Sequence, residues 1–340
     1  MFGLAPLPRT LDAAVRDLSD RKPEVRLSAV RDLARWAGDA AQAPGAAIAA
    51  LERALVEDGQ ASVRAEAALA LADAAAASAV PSLLRAAEQD PSARVRQLAV
   101  LALGELGEQD DERIGALVAE ALDDAAPELR FQALIALHRL APALALPKAL
   151  QKLSDSDRQI RYIALRIVDE ILTDSAVAAP PIAELRARLE DTAPEVRLAA
   201  AIALTQLGDH SGVDQLVAAL NERRPIAHDD DEQAVVELAG ELGLVAARPG
   251  LERRAWGWFG RARPGGWQAR VALARLGDER AQARIVRDLG SKDRDTRTAA
   301  IVAAARARLQ RAQPLIAAMR GDELAADPET VAEALAAFER

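Results

Sequence analysis

Apolar residues recur along most of this chain at the three-and-four spacing that keeps one face of an α-helix dry. Val196, Ala200, Leu204 and Leu207 form one such stripe, Ile114, Leu117, Val118 and Leu122 another, and Ile182, Leu185 and Leu189 a third with Glu and Arg set between. The stripes are short, and each breaks at Gly, Pro or Asp before the next begins. Helical hairpins are predicted, and no stretch alternates in the manner of a strand. Pro23, Pro127 and Pro194 each stand two residues before an apolar-Arg pair. In the first turn of a helix a proline loses no intrahelical hydrogen bond, so these residues mark where the second helix of a pair starts.

The hairpins repeat. Residues 90–107 read D-P-S-A-R-V-R-Q-L-A-V-L-A-L-G-E-L-G and residues 191–208 read D-T-A-P-E-V-R-L-A-A-A-I-A-L-T-Q-L-G. The same frame places an apolar-Arg pair at Val25-Arg26, Val63-Arg64, Val95-Arg96, Leu129-Arg130, Ile160-Arg161 and Val196-Arg197, at steps of 38, 32, 34, 31 and 36 residues. That is the length of two short helices and two turns. Leu242-Gly243 and Leu276-Gly277 continue the frame in degenerate form, with Glu232 and Gly266 where Arg is required, and Arg297 closes it.

The frame D-x-x-x-x-V-R-x-x-A-x-x-x-L-x-x-L-G resembles HEAT-like repeats of the phycobilisome-lyase type. The resemblance implies an all-α, right-handed α-solenoid of about nine to ten helical hairpins, with the second helices lining the concave face. It also implies a hydrogen-bonded ladder between repeats, in which Asp20, Asp58, Asp90, Asp124, Asp155 and Asp191 pair with Arg26, Arg64, Arg96, Arg130, Arg161 and Arg197. Physically, an Asp ahead of a helix accepts orphan amide hydrogens, and a planar guanidinium bridges carboxylates and carbonyls of adjacent units. The expected organisation is regular repeats over 1–208, degenerate repeats with an acidic loop and a Trp/Arg-rich insert over 209–277, and closing repeats with a cap over 278–340.

Composition narrows the chemistry. With no Cys there is no disulfide framework, thiolate metal site or thiol nucleophile. His138, His210 and His228 are not spaced for a helical metal pair, and phosphate-binding or nucleophile-elbow motifs are missing, so we expect no enzyme and no cofactor. The acidic run 228–232 lacks calcium-loop alternation and is read as a capped, solvated helix start. A net charge of -9 disfavours a nucleic-acid binder overall. Met1 to Thr10 carries no signal pattern, and the apolar runs are too short to enter a membrane, so a cytoplasmic protein is expected.

Two surfaces are candidates for a protein partner, with the chain itself expected to be a monomer. One is a second stripe on the second helices, at offsets two, six and nine from the apolar residue: Leu101; Phe131, Ile135 and His138; Tyr162 and Arg166; and further along Leu198, Ile202 and Thr205. The other is the insert, where Trp256, Trp258, Arg261 and Arg263 lie within 248–275, a span of local charge +6 that follows 39 residues of charge -7. Aromatics interleaved with Arg suit a protein hot spot, or the bases and phosphates of a nucleic acid in a DNA-glycosylase-like relative; gap filling is the structural alternative. A phycobilin lyase subunit is a further alternative, suggested by the resemblance alone.

Overall fold

The computed structural model describes residues 9–38, 44–174, 179–256, 265–322 and 325–339. Among these residues every regular element is helical, and the chain divides into two compact units, 1–177 and 178–340.

In the first unit the helices alternate between two layers. The outer members are α1 (Leu11–Asp17), α3 (Gly45–Glu57), α5 (Val80–Gln89), α7 (Glu112–Ala121) and α9 (Pro142–Lys152). Each is followed by its partner: α2 (Pro23–Ala37), α4 (Ala61–Asp73), α6 (Ala93–Leu106), α8 (Pro127–Leu140) and α10 (Arg158–Asp174). Every outer helix packs on the helix that follows it, and α2, α4, α6, α8 and α10 pack side by side in that order. Small residues set the spacing of this second layer: a Cβ added at Gly104 would stand 3.0 Å from the Ala136 Cβ, so α6 and α8 meet almost backbone to backbone. This is why an Ala-rich chain with few aromatics still makes a dry core.

The second unit follows the same scheme. α11 (Ile182–Ala187), α13 (Val213–Asn221), α15 (Arg248–Trp256), α17 (Glu279–Leu289) and α19 (Gln313–Ala317) precede α12 (Pro194–Gln206), α14 (Asp229–Glu241), α16 (Gly266–Arg275), α18 (Arg294–Arg306) and α20 (Pro328–Phe338) respectively. Pro23, Pro127 and Pro194 open α2, α8 and α12. The stripe Val196, Ala200 and Leu204 is fully buried. Among the described residues no helix is long and apolar enough to cross a membrane.

Candidate functional site

The repeated Asp and Arg come together at the loops that lead into the second helices. Each Asp first turns its own carboxylate inward: Oδ1 accepts the amide hydrogen two residues on, at Lys22, Gln60, Ser92, Ala126, Asp157 and Ala193, over 2.8–2.9 Å. With its carboxylate held this way, the Asp offers its own Arg the backbone carbonyl instead. Arg26, Arg64, Arg96, Arg130, Arg161 and Arg197 donate through Nη1 to the carbonyls of Asp20, Asp58, Asp90, Asp124, Asp155 and Asp191. The remaining edge of the guanidinium reaches one repeat forward. Arg26 grips the Asp58 carboxylate with Nε at 2.6 Å and Nη2 at 2.9 Å, Arg64 grips Asp90 at 2.7 and 2.8 Å, and Arg130 grips Asp155 at 2.9 and 2.7 Å. Arg96 reaches Asp124 through Nη2 alone, at 2.8 Å.

Each Arg thus meets the Asp of its own repeat through the backbone carbonyl, and the link between repeats runs through the carboxylate of the next. In the first four rungs the carboxylate partner belongs to the following repeat, and the same-repeat contact runs to a carbonyl. Electrostatics agree with the geometry. Burial pushes the Asp58, Asp90 and Asp155 carboxyls up, but the hydrogen bonds from Arg26, Arg64 and Arg130 and from the loop amides outweigh it and hold all three below the usual carboxylate range. At Asp124 the Ala126 amide and Arg96 do the same. The hydrogen bonds of the first four rungs run to carboxylates and carbonyls of the repeats themselves, a structural use of these groups.

The family model for HEAT repeats matches residues 7–104, 48–138 and 146–239. The chain belongs to the HEAT-repeat family. It is similar in structure to YibA of Escherichia coli, with a TM-score of 0.57 and 20% identity over 78% of this chain and 92% of that one. An engineered protein matches with a TM-score of 0.50 and 18% identity, over 97% of this chain and 99% of that one. At these identities the likeness shows the fold alone. No curated protein matches the chain.

On the second-helix layer of the first five HEAT hairpins, Leu101 is half-buried on α6, Phe131 is half-buried and Ile135 37% exposed on α8, and Tyr162 is half-buried on α10. Polar groups flank them: His138 Nε2 lies 3.4 Å from a Glu170 carboxylate oxygen, and Arg166 Nη1 lies 3.5 Å from Asp169. The same offsets on α12 behave differently. Leu198, Ile202 and Thr205 are buried, and the Thr205 hydroxyl donates to the Ala201 carbonyl at 2.7 Å. The stripe expected across successive repeats is thus open in the first unit and part of the core at α12.

In the degenerate HEAT repeats Arg248, Arg253 and Arg254 are spent on the fold. Arg248 donates to the Asp278 carboxylate and to the Leu276 carbonyl, both at 2.9 Å. Arg253 donates to the Asn221 carbonyl at 2.7 Å, and Arg254 to that of Leu220 at 2.7 Å and to the Glu232 carboxylate at 2.6 Å. These carbonyls end α13, where a helix carries unsatisfied acceptors and partial negative charge. Asn221 completes the clamp: its side-chain amide donates to the Ala246 carbonyl and accepts from the Gly250 amide. A Cβ at Gly250 would fall 2.2 Å from the Leu220 carbonyl oxygen, so only glycine allows this approach. Sequence reasoning missed Asn221 and Gly250, because neither falls on the repeat frame. Trp256 is half-buried, with the Arg280 guanidinium 4.0 Å from its ring centre, a stacking contact within the fold. Trp258, Arg261 and Arg263 lie outside the described residues. The acidic run 228–232 opens α14; Asp231 is buried there and Glu232 is the partner of Arg254.

Proposed function

We propose that this HEAT-repeat chain is a non-catalytic scaffold that holds another protein against the second-helix layer of its first unit, as a cytoplasmic monomer without a cofactor. The observation that carries this reading is the row formed by Leu101, Phe131, Ile135 and Tyr162 on the successive helices α6, α8 and α10, all half-buried or exposed. Aromatic and aliphatic side chains on a rigid layer lose little conformational freedom on binding, so most of the contact energy survives as affinity. Among the described arginines of the insert, Arg248, Arg253, Arg254 and Arg275 are engaged with carboxylates and carbonyls of neighbouring helices, which favours a structural role for these four over contact with phosphates.

A photo-cross-linking residue at Ile135, compared with one at the 43% exposed Leu144 on the outer helix α9, tests the proposal in the native cell. A discrete protein adduct formed from position 135 and not from 144 is expected. Phe131→Ala should weaken binding of the identified partner by about 2 kcal/mol, roughly thirtyfold. The same set of adducts from both positions would refute the assignment of this face.

A further inference from the structure

The second unit carries a groove of about 180 Å³ between α14, α16 and α18, of the order of one long side chain. Its floor is apolar, with Val271 and Ala272 buried, and its wall is the Trp267 indole, 36% exposed. Along α14 the residues Asp229, Gln233, Glu237 and Glu241 follow one another at four-residue spacing on one face, all exposed or half-buried. Glu237 and Glu241 reach the groove lining. An exposed indole beside the Glu237 carboxylate is an arrangement that favours a cation, by ring quadrupole and by charge together.

The groove already shows what it prefers. The Arg306 guanidinium sits 5.6 Å from the Trp267 ring centre, and its Nη1 lies 3.2 Å from the Glu237 carboxylate. Arg306 is half exposed and reaches in from α18, so it stands as an intramolecular occupant of a guanidinium site. Arg275 also lines the groove, donating through Nε to the Arg306 carbonyl at 2.6 Å, and its Nη1 lies 3.3 Å from a Glu241 carboxylate oxygen, so Glu241 is paired with Arg275 and Glu237 is the carboxylate that meets Arg306.

We propose that this groove docks a basic segment of a partner protein, seating one arginine or lysine side chain over Trp267 and against Glu237 in place of Arg306. The proposal goes beyond the scaffold reading of the first unit and stands or falls apart from it, since no residue of the α6–α10 row takes part.

The test titrates the full chain with the peptide acetyl-Ala-Arg-Ala-Arg-Ala-amide, following the indole N–H resonance of Trp267, which Trp267→Phe assigns. The peptide with citrulline in place of arginine keeps the shape and removes the charge. A saturable shift of the Trp267 signal with the arginine peptide and none with the citrulline peptide is expected. Arg306→Gln should tighten binding at least threefold, while Arg311→Gln, the same charge change at an exposed site outside the groove, should not. Glu237→Gln should weaken binding at least fivefold with unchanged circular dichroism. No shift at Trp267, an equal shift with citrulline, or equal gains from Arg306→Gln and Arg311→Gln would each overturn the proposal.

Discussion

Removing one ladder arginine should cost far more than an exposed ion pair is worth, and Arg130 is the place to measure it. Its side chain is 11% exposed and that of Asp155 6%. Arg130→Ala deletes both bonds to that carboxylate and the bonds to the Asp124 and Ala125 carbonyls, leaving Asp155 with the Asp157 amide among its present donors. Breaking a buried pair from one side costs about 3–5 kcal/mol. Proton uptake by the abandoned carboxyl limits the loss, so we expect about 3 kcal/mol. Arg130→Lys keeps the charge but loses the fork and should cost about half as much. Asp155→Asn, added to Arg130→Ala, keeps an acceptor for the loop amide and removes the stranded charge. It should recover at least about 1 kcal/mol.

Because a repeat array unfolds in parts, one global midpoint would blur these numbers; amide hydrogen exchange in α8 to α10 reads the local opening free energy directly. Arg16→Ala, at a side chain that is 76% exposed, is the control and should stay within about 0.5 kcal/mol of the parent. Arg26 makes the same fork near the end of the first unit, where fewer neighbours depend on it, so Arg26→Ala should cost less than Arg130→Ala. A loss at Arg130 no larger than at Arg16 would refute the claim that the ladder joins the repeats.

The acid dependence of stability follows from the same rungs. Asp58, Asp90, Asp124 and Asp155 have depressed folded values, so their contribution is complete above the unfolded carboxyl value of about 3.9 and is lost as pH falls through the folded values. The urea midpoint should therefore drop steadily from about pH 5 downward, and Arg64→Ala should flatten the drop; a midpoint constant from pH 5 to 3 would contradict this. Asp209, held down to about 2 by the Ser211 hydroxyl and amide and by Arg186, should be among the last carboxylates to protonate in an NMR titration. Gly250→Ala forces a methyl onto the Leu220 carbonyl and should cost about 3 kcal/mol or prevent folding of the second unit, whereas Gly45→Ala, with open space around it, should be neutral or stabilising by thermal melts.

How much of this was legible in the sequence depends on what each feature repeats with. The helix period, the Pro starts and the apolar-Arg frame recur every thirty-odd residues, so the hairpins and the layer of second helices could be read directly. The partner of each Arg could not. An Asp and an Arg six residues apart look like a pair, and only the loop geometry shows that the carboxylate is bound to the amide two residues on and presented to the preceding repeat. The clamp at Asn221 was invisible for the opposite reason, since it occurs once and its glycine matters only because another helix end happens to stop against it.

The candidate surface divides along the same line. Offsets two, six and nine identify one side of every second helix, and on α6, α8 and α10 that side remains partly open at Leu101, Phe131, Ile135 and Tyr162. On α12 the same offsets carry Leu198, Ile202 and Thr205 into the core. Periodicity fixes the direction of a side chain about its own helix axis, but exposure depends on how closely the next helix approaches, and that is set by the size of residues on both neighbours. Where Gly240 faces Ala272 at 2.8 Å from a would-be Cβ, α14 and α16 close tightly, and the large Trp267 is left standing at the edge of the contact. An aromatic beside a glycine-to-alanine contact on the second-helix layer is then a physical reason to search for a groove, and here it leads, within the basic insert that composition singles out, to the pairing of Trp267 with Arg306.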